Sequence, residues 1–441
     1  MRLPRRAIAI LPPEAPAPDE LGPVERGIYE SLPRNSLILR FEHATWGFSF
    51  AMLDQTVMFP IYLDRLGASE VVIGAVPAVF LFCAISFQLL SAYLTDQLRT
   101  RRVAFVISHI PMLWMWLALA WVALSVTETP APMAIALSLV AYAIAGAALG
   151  CSSPLWFGLQ AKLFPEELRG SRMGSVFFWG GAMGLAGAAV AHRVLHYLPF
   201  PLCYAVLFVA AVAVKTIGTA SFLWMREPPT EPDAATSDFR EFTRRLWQAI
   251  AGMPAFRNIL IAGALANCAT MAAVFVGVAG KTQLSLGLSS AALFGGTLTA
   301  ARILGSWGFG RLGDRMGFRL VAALAPLCYA FSALVAWVGG HLGAYILALA
   351  LIGLGGAANS LGFSNLTMQV CPYRDKTTFL AVRTTFTGPF LAVAPFAGGL
   401  LARHSALGYQ ATFPVAAAIG VVAAAVLFSG KLGREAKGAE G

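Results

Sequence analysis

Along the chain, long runs with almost no charge alternate with short clusters of charged residues, proline and glycine. With those clusters as punctuation, the pattern predicts twelve helices, over 36–63, 70–95, 102–126, 132–163, 172–196, 202–225, 257–282, 288–311, 319–340, 343–370, 378–404 and 409–430. About 20 apolar residues are what an α-helix needs to cross a bilayer. The fold class that follows is an all-α membrane protein of twelve transmembrane helices. The longest polar interruption, REPPTEPDAATSDFREFTRRLWQAIAGMPAFR at 226–257, contains Pro228, Pro229 and Pro232 and divides the helices six and six. The expected organisation is a tail over 1–35, a six-helix bundle over 36–225, a linker over 226–256, a second bundle over 257–430 and a tail over 431–441. Within the linker, 238–250 puts Phe239, Phe242, Leu246 and Ile250 on one helical face, as a helix lying at the membrane surface does.

The two halves resemble each other where their loops are polar enough to compare. KLFPEELRGSRMGS at 162–175 aligns without gaps on QVCPYRDKTTFLAV at 369–382, pairing Pro165 with Pro372 and Arg169 with Lys376. Asp96 and Asp314 each end an apolar run and are followed by arginines, and Gly67 matches Gly287. Two pseudo-symmetric six-helix bundles repeated in parallel suit alternating access, in which bundles rock about one central site.

Composition sharpens this picture. The 441 residues are 58% hydrophobic and 12% charged, too little charge to cover a water-soluble surface of that size. The net charge of +10 suggests a nucleic-acid partner until it is mapped. Three of the 32 Lys and Arg lie deep in predicted helices (Arg40, Lys215, Arg302) and four on one side (Arg65, Arg193, Lys281, Arg403). The other 25 lie in the termini and in the loops between helices 2–3, 4–5, 6–7, 8–9 and 10–11. Basic loops stay in the cytoplasm, so both termini are expected there, in a multi-pass inner-membrane protein whose charge reports orientation. The expected partners are the lipid bilayer, a small solute and protons; nucleic acid is not among them, and a monomer is expected. The six cysteines are scattered singly and read as small buried hydrophobes, and residues 1–35 hold no apolar core of signal-peptide type.

GRLGDRMGFR at 310–319 packs one acid and three arginines between two apolar runs. It resembles the G-x-L-x-D-R-x-G-R-R loop of the major facilitator superfamily, with Gly310, Leu312, Asp314, Arg315, Gly317 and Arg319 in register. The earlier AYLTDQLRTRR keeps Leu94, Asp96, Arg101 and Arg102 but has Ala92 and Arg99 where glycines are usual. The resemblance covers 36–430 and implies the fold of that family and secondary transport, without naming a substrate. It also implies that Asp314 meets the start of helix 11, with Asp375 available to Arg315 or Arg319, and that Asp96 faces helix 5, with Glu166 and Glu167 near Arg99–Arg102. Such contacts exist only when the cytoplasmic side is closed, so they would latch one state; the alternative is a plain positive-inside anchor.

Charges deep in a membrane helix cost at least about 2.5–3.5 kcal/mol unless they face a cavity or a partner. On helix 1, Arg40, His43, Gly47, Phe50 and Asp54 share one face and Glu42 points elsewhere. Asp54 is too deep to snorkel and is the candidate carrier of a coupled proton; a purely structural carboxylate is the alternative. Arg302 lies about 18 Å of helix before Asp314, near mid-membrane. It either holds an anionic substrate or pairs with an acid such as Asp54. Lys215 is expected to have a packing partner. Trp46, Phe50, Gln88, Trp156, Trp179, Asn267 and Asn359 complete the candidate solute and proton pathway.

GVAGKT at 277–282 ends like a Walker A loop but has Phe275 where the motif needs glycine, and it closes a membrane helix. No HExxH or nucleophile elbow occurs, and the six histidines are dispersed. Neither an enzyme nor a cofactor is expected. The functional expectation is a proton-coupled secondary transporter of a small organic solute; the alternative is a non-transporting sensor or assembly factor of the same fold.

Overall fold

A computed structural model describes residues 23–54, 56–95, 98–126, 129–228, 253–370 and 376–429. Among these, fourteen α-helices run in chain order. They are α1 (Pro23–Phe50), α2 (Met58–Arg65), α3 (Glu70–Thr95), α4 (Arg102–Leu124), α5 (Ala131–Leu163), α6 (Glu166–Tyr197), α7 (Leu202–Ala220), α8 (Pro254–Cys268), α9 (Ala273–Gln283), α10 (Ser289–Met316), α11 (Phe318–Val338), α12 (Leu342–Val370), α13 (Lys376–His404) and α14 (Thr412–Ser429). Because α1 with α2, and α8 with α9, each form one interrupted crossing, the chain crosses twelve times. Ten of the crossings are long and apolar enough to span a bilayer by composition alone. The other two, α1–α2 and α10, are the more charged: Arg40, Glu42 and Asp54 lie along the first crossing, and Arg302 and Arg311 along α10.

Both interruptions fall in the first crossing of a half. Between α1 and α2, the Asp54 carboxylate accepts the Thr56 N–H at 2.7 Å, drawing that donor away from the helical ladder. Pro60 has no N–H to give residue 56 and sits in the first turn of α2, where that lack is tolerated. Hydropathy predicts a continuous 36–63 because it weighs polarity and does not register competition for backbone donors. Between α8 and α9 the chain tightens into a 3-10 turn over Ala269–Ala272.

Three boundaries differ from expectation for one reason: a helix continues past the point where its sequence turns polar. The first reaches back to Pro23, and Asn35 exchanges hydrogen bonds of 2.9 and 3.0 Å with the Arg226 backbone. The α6 helix starts at Glu166, after Pro165. The α10 helix runs through GRLGDRM and ends at Gly317, whose φ of +86° makes the turn. The amphipathic segment 238–250 lies outside the described residues.

Helix pairing repeats between halves. Helix α1 packs on α6 and α7, α3 on α5, and α4 on α5 and α7; correspondingly α8 packs on α13 and α14, α10 on α12, and α11 on α12 and α14. The halves meet where α3 lies along α13 and α6 along α10. Close approaches among the described residues, such as Ile85 to Gly388, Ile303 to Gly181 and Pro395 to Gly74, lie from mid-helix to the end away from Pro23 and Ser429, here called the far end. A Cβ on Gly74 would lie 2.3 Å from the Pro395 carbonyl, so only glycine admits that approach. At the same end His192 Nδ1 is 3.0 Å from the Ser289 carbonyl, and Lys281 of α9 meets Asp64 of α2 at 2.7 Å. Side chains such as Ile107, Trp114, Trp121, Val338 and Phe428 are exposed on the outer faces, where hydrocarbon solvates them.

Candidate solute site

A cavity of about 360 Å³ lies between the halves. Thr56, Pro77 and Leu81 contribute from the first half, and the second half supplies most of the lining, including Asn267, Leu298, Arg302, Tyr329, Asn359, Ser360, Arg383 and Thr387. Its floor is a hydrogen-bonded string: Asn359 Nδ2 donates to Asn267 Oδ1 at 3.0 Å, and Asn267 Nδ2 donates to the Thr387 carbonyl at 2.8 Å. That string ties α12, the end of α8 and α13 together where α8 gives way to its 3-10 turn. The break frees backbone carbonyls, and amide side chains are suited to holding it.

Two guanidinium groups face this cavity. No hydrogen bond from the Arg302 side chain is found among the described residues. Arg383 donates Nη2 to Ser364 Oγ at 3.1 Å, while its buried Nε has no partner. No acidic side chain lines the cavity among the described residues. Asp54 lies just behind Thr56, near enough to Arg302 for their charges to interact across the halves. The structure therefore brings Arg302, Asn267 and Asn359 together in one lining, with Asp54 two residues before Thr56 of the same lining.

Arg383, Tyr329 and Thr387 escape the sequence reading. Arg383 falls a few residues inside the predicted start of helix 11 and is counted there with the basic loop. The helix starts at Lys376, so Arg383 stands two turns in, facing the cavity.

The other aromatic candidates gather elsewhere. A second cavity, about 210 Å³, lies inside the first half and is lined by Glu42, His43, Trp46, His109, Ser152 and Trp156 among others. His43 stacks on Trp156 with ring centroids 5.5 Å apart, and Phe50 stacks on Trp46 at 5.1 Å. Behind this wall Lys215 of α7 forms a buried ion pair with Glu42 of α1, and its ammonium lies 4.9 Å from the Trp46 ring centroid. Glu42 and Lys215 are 173 residues apart, so no local spacing could join them. Gln88 and Trp179 line neither cavity, and Trp179 is exposed.

At the end opposite Lys281, the motif arginines act on helix ends. Arg319 donates Nε to Leu427 O and Nη2 to Phe428 O, both at 2.8 Å, satisfying the last carbonyls of α14. Arg102 does the same in the first half, donating to Met225 O at 2.5 Å just beyond α7. A cation on orphaned C-terminal carbonyls is favourable in charge and in hydrogen bonding. The Arg101 and Arg102 backbone N–H groups both reach the Glu227 carboxylate, which also pairs with Lys162 at 2.8 Å. Asp314 and Arg315 are exposed, and Asp314 has no ion pair among the described residues. Asp96 and Asp375 lie outside the described residues, as do the side chains of Glu166 and Glu167, so the expected contacts of these acids fall outside them too.

Against solved structures, the nucleoside transporter NupG matches with a TM-score of 0.68 at 16% identity, covering 90% of this chain and 99% of its own. A D-xylose–proton symporter matches with a TM-score of 0.70 at 15% identity, covering 92% and 99%. A POT family transporter in complex with 5-aminolevulinic acid matches with a TM-score of 0.68 at 14% identity, covering 91% and 97%. At these identities the likeness is one of fold. No curated protein sequence matches the chain. The family profile of the Major Facilitator Superfamily matches residues 44–309, more than half the chain, and with twelve crossings in two repeated bundles around a central cavity the protein belongs to that superfamily of membrane transporters.

Proposed function

We propose that the protein is a secondary active transporter that moves a small organic solute across the inner membrane by alternating access, coupled to protons. The observation that carries this reading is a polar cavity between two repeated bundles that touch from mid-helix to the far end. A solute released at the opposite end leaves a carrier that must close there and part at the Lys281–Asp64 end to reload. Both termini are cytoplasmic and the monomer is the working unit in this reading.

Asp54 is the carrier of the coupled proton. Its neighbour Thr56 lines the cavity, it stands at the break in the first crossing, and Arg302 of the other half attracts its ionised form alone. Protonation at Asp54 would thus loosen an attraction between the halves. Asp54→Asn keeps size and hydrogen bonding while removing titration, so gradient-driven accumulation should be lost while downhill exchange survives. A purely structural carboxylate predicts that both fail together.

Alternating access can be tested without a known solute. Spin labels at Ser69 and Thr282 report the far end, and labels at Thr100 and Gln369 report the other. In nanodiscs each pair should give two distance populations, and conditions that lengthen one should shorten the other. A single fixed distance at both ends between pH 5 and 8 would refute the transport reading.

A further inference from the structure

Arg302 and Arg383 come from different helices, α10 and α13, yet line one cavity in which no acid is found among the described lining residues. An arginine kept near mid-membrane needs water, a partner or an anion to offset its desolvation. Arg302 has the Asp54 carboxylate near enough to offset its charge, and no acid lines the cavity beside Arg383 among the described residues. Arg383 has one hydrogen bond, to neutral Ser364, and its buried Nε remains unpartnered. Two positive groups against at most one negative leave the site short of negative charge.

The same sign recurs outside the cavity. Arg40 of α1 has a buried, unpartnered Nε, and Arg172 near the start of α6 is close enough for the two charges to act on each other. Both stand toward the end where α1 and α6 begin. A row of cations of this kind raises the local concentration of anions and lowers that of cations.

The remaining lining suits a small oxyanion with a polar body. Guanidinium forks match carboxylate and phosphate oxygens in geometry. Tyr329, Asn359, Ser360 and Thr387 add hydroxyl and amide groups that bond an uncharged remainder. We propose that the central cavity binds an organic oxyanion, a small solute carrying a carboxylate or phosphate group held between Arg302 and Arg383. This deepens the transport reading and rests on it.

The test uses the purified full-length protein and thermal stability at matched ionic strength. Succinate and citrate probe carboxylates and glycerol 3-phosphate probes phosphate; succinamide and glycerol are the uncharged counterparts. At least one anion should raise the melting temperature saturably, its apparent affinity falling on the order of tenfold in Arg302→Gln and in Arg383→Gln. Arg302→Lys, which keeps charge but loses the fork, should fall between, and it covers the case in which the glutamine variant does not fold. Which arm responds tells carboxylate from phosphate. The proposal is overturned if no anion binds, if binding is undiminished in both variants, or if an uncharged counterpart binds equally well. The distance measurements above use no ligand, so a protein that alternates without binding anions loses only this inference, and one that binds anions without alternating loses only the transport reading.

Discussion

The Glu42–Lys215 pair makes a strong energetic claim. The Lys215 side chain is fully buried and that of Glu42 is 4% exposed, so bulk water relieves neither charge appreciably. Glu42 Oε2 has no partner, which leaves Lys215 as the group that neutralises the carboxylate. Replacing Lys215 by methionine keeps the volume and removes the charge, stranding a buried anion. Removing one member of a buried pair costs about 3–5 kcal/mol. Loss of the ammonium over Trp46 adds up to about 2 kcal/mol. Replacing both members, in Glu42→Met with Lys215→Met, removes the stranded charge, so the double variant should recover most of that loss. The assay is reversible unfolding in mixed micelles, followed by tryptophan fluorescence, for wild type, both single variants and the double variant. The reasoning fails if either single variant lies within about 1 kcal/mol of wild type, or if the two losses simply add, because a stranded charge requires strong coupling.

Other perturbations act on the balance between conformations. Lys281→Gln removes a partly exposed ion pair across the far end, worth about 1 kcal/mol, and should shift the ratio of the two Ser69–Thr282 distance populations roughly fivefold toward the separated one. Gly74→Ala forces a Cβ against the Pro395 carbonyl and should open the same end more strongly, by about 1–3 kcal/mol, with little change in the packing within each half. Asp314→Asn should move the population the opposite way, about tenfold toward the far-end-closed state, if Asp314 latches the other conformation; unchanged distances would leave it a positive-inside anchor.

Membrane crossings are the most legible feature of this chain, because a bilayer imposes one rule on every segment. A run such as 343–370 must be apolar for about twenty residues and must satisfy its own backbone, so hydropathy and length alone locate it. The repeat, the central polar division at 226–257 and the facilitator motif at 310–319 are likewise local features of the sequence. The break at Asp54 is half legible: Pro60 is visible, but only the folded chain shows the carboxylate taking the Thr56 N–H. The helical continuation from Gly310 to Met316 is hidden because charge marks a loop in hydropathy without preventing a helix.

Helix position was readable; helix rotation and partners were not. Asn267, Asn359 and Arg302 were candidates by depth, and depth is a property of sequence. That Arg383 faces the same cavity, that Trp156 lines a different one, and that Lys215 neutralises Glu42 depend on which faces of distant helices meet. Successive residues on a helix are turned by about 100°, enough to exchange a cavity-facing for a lipid-facing position, and the chain carries little local signal for that angle where both faces are apolar. The angle is set by packing, through glycines such as Gly74 that let two backbones touch and through pairs such as Glu42–Lys215, in which each buried charge meets its opposite from another helix.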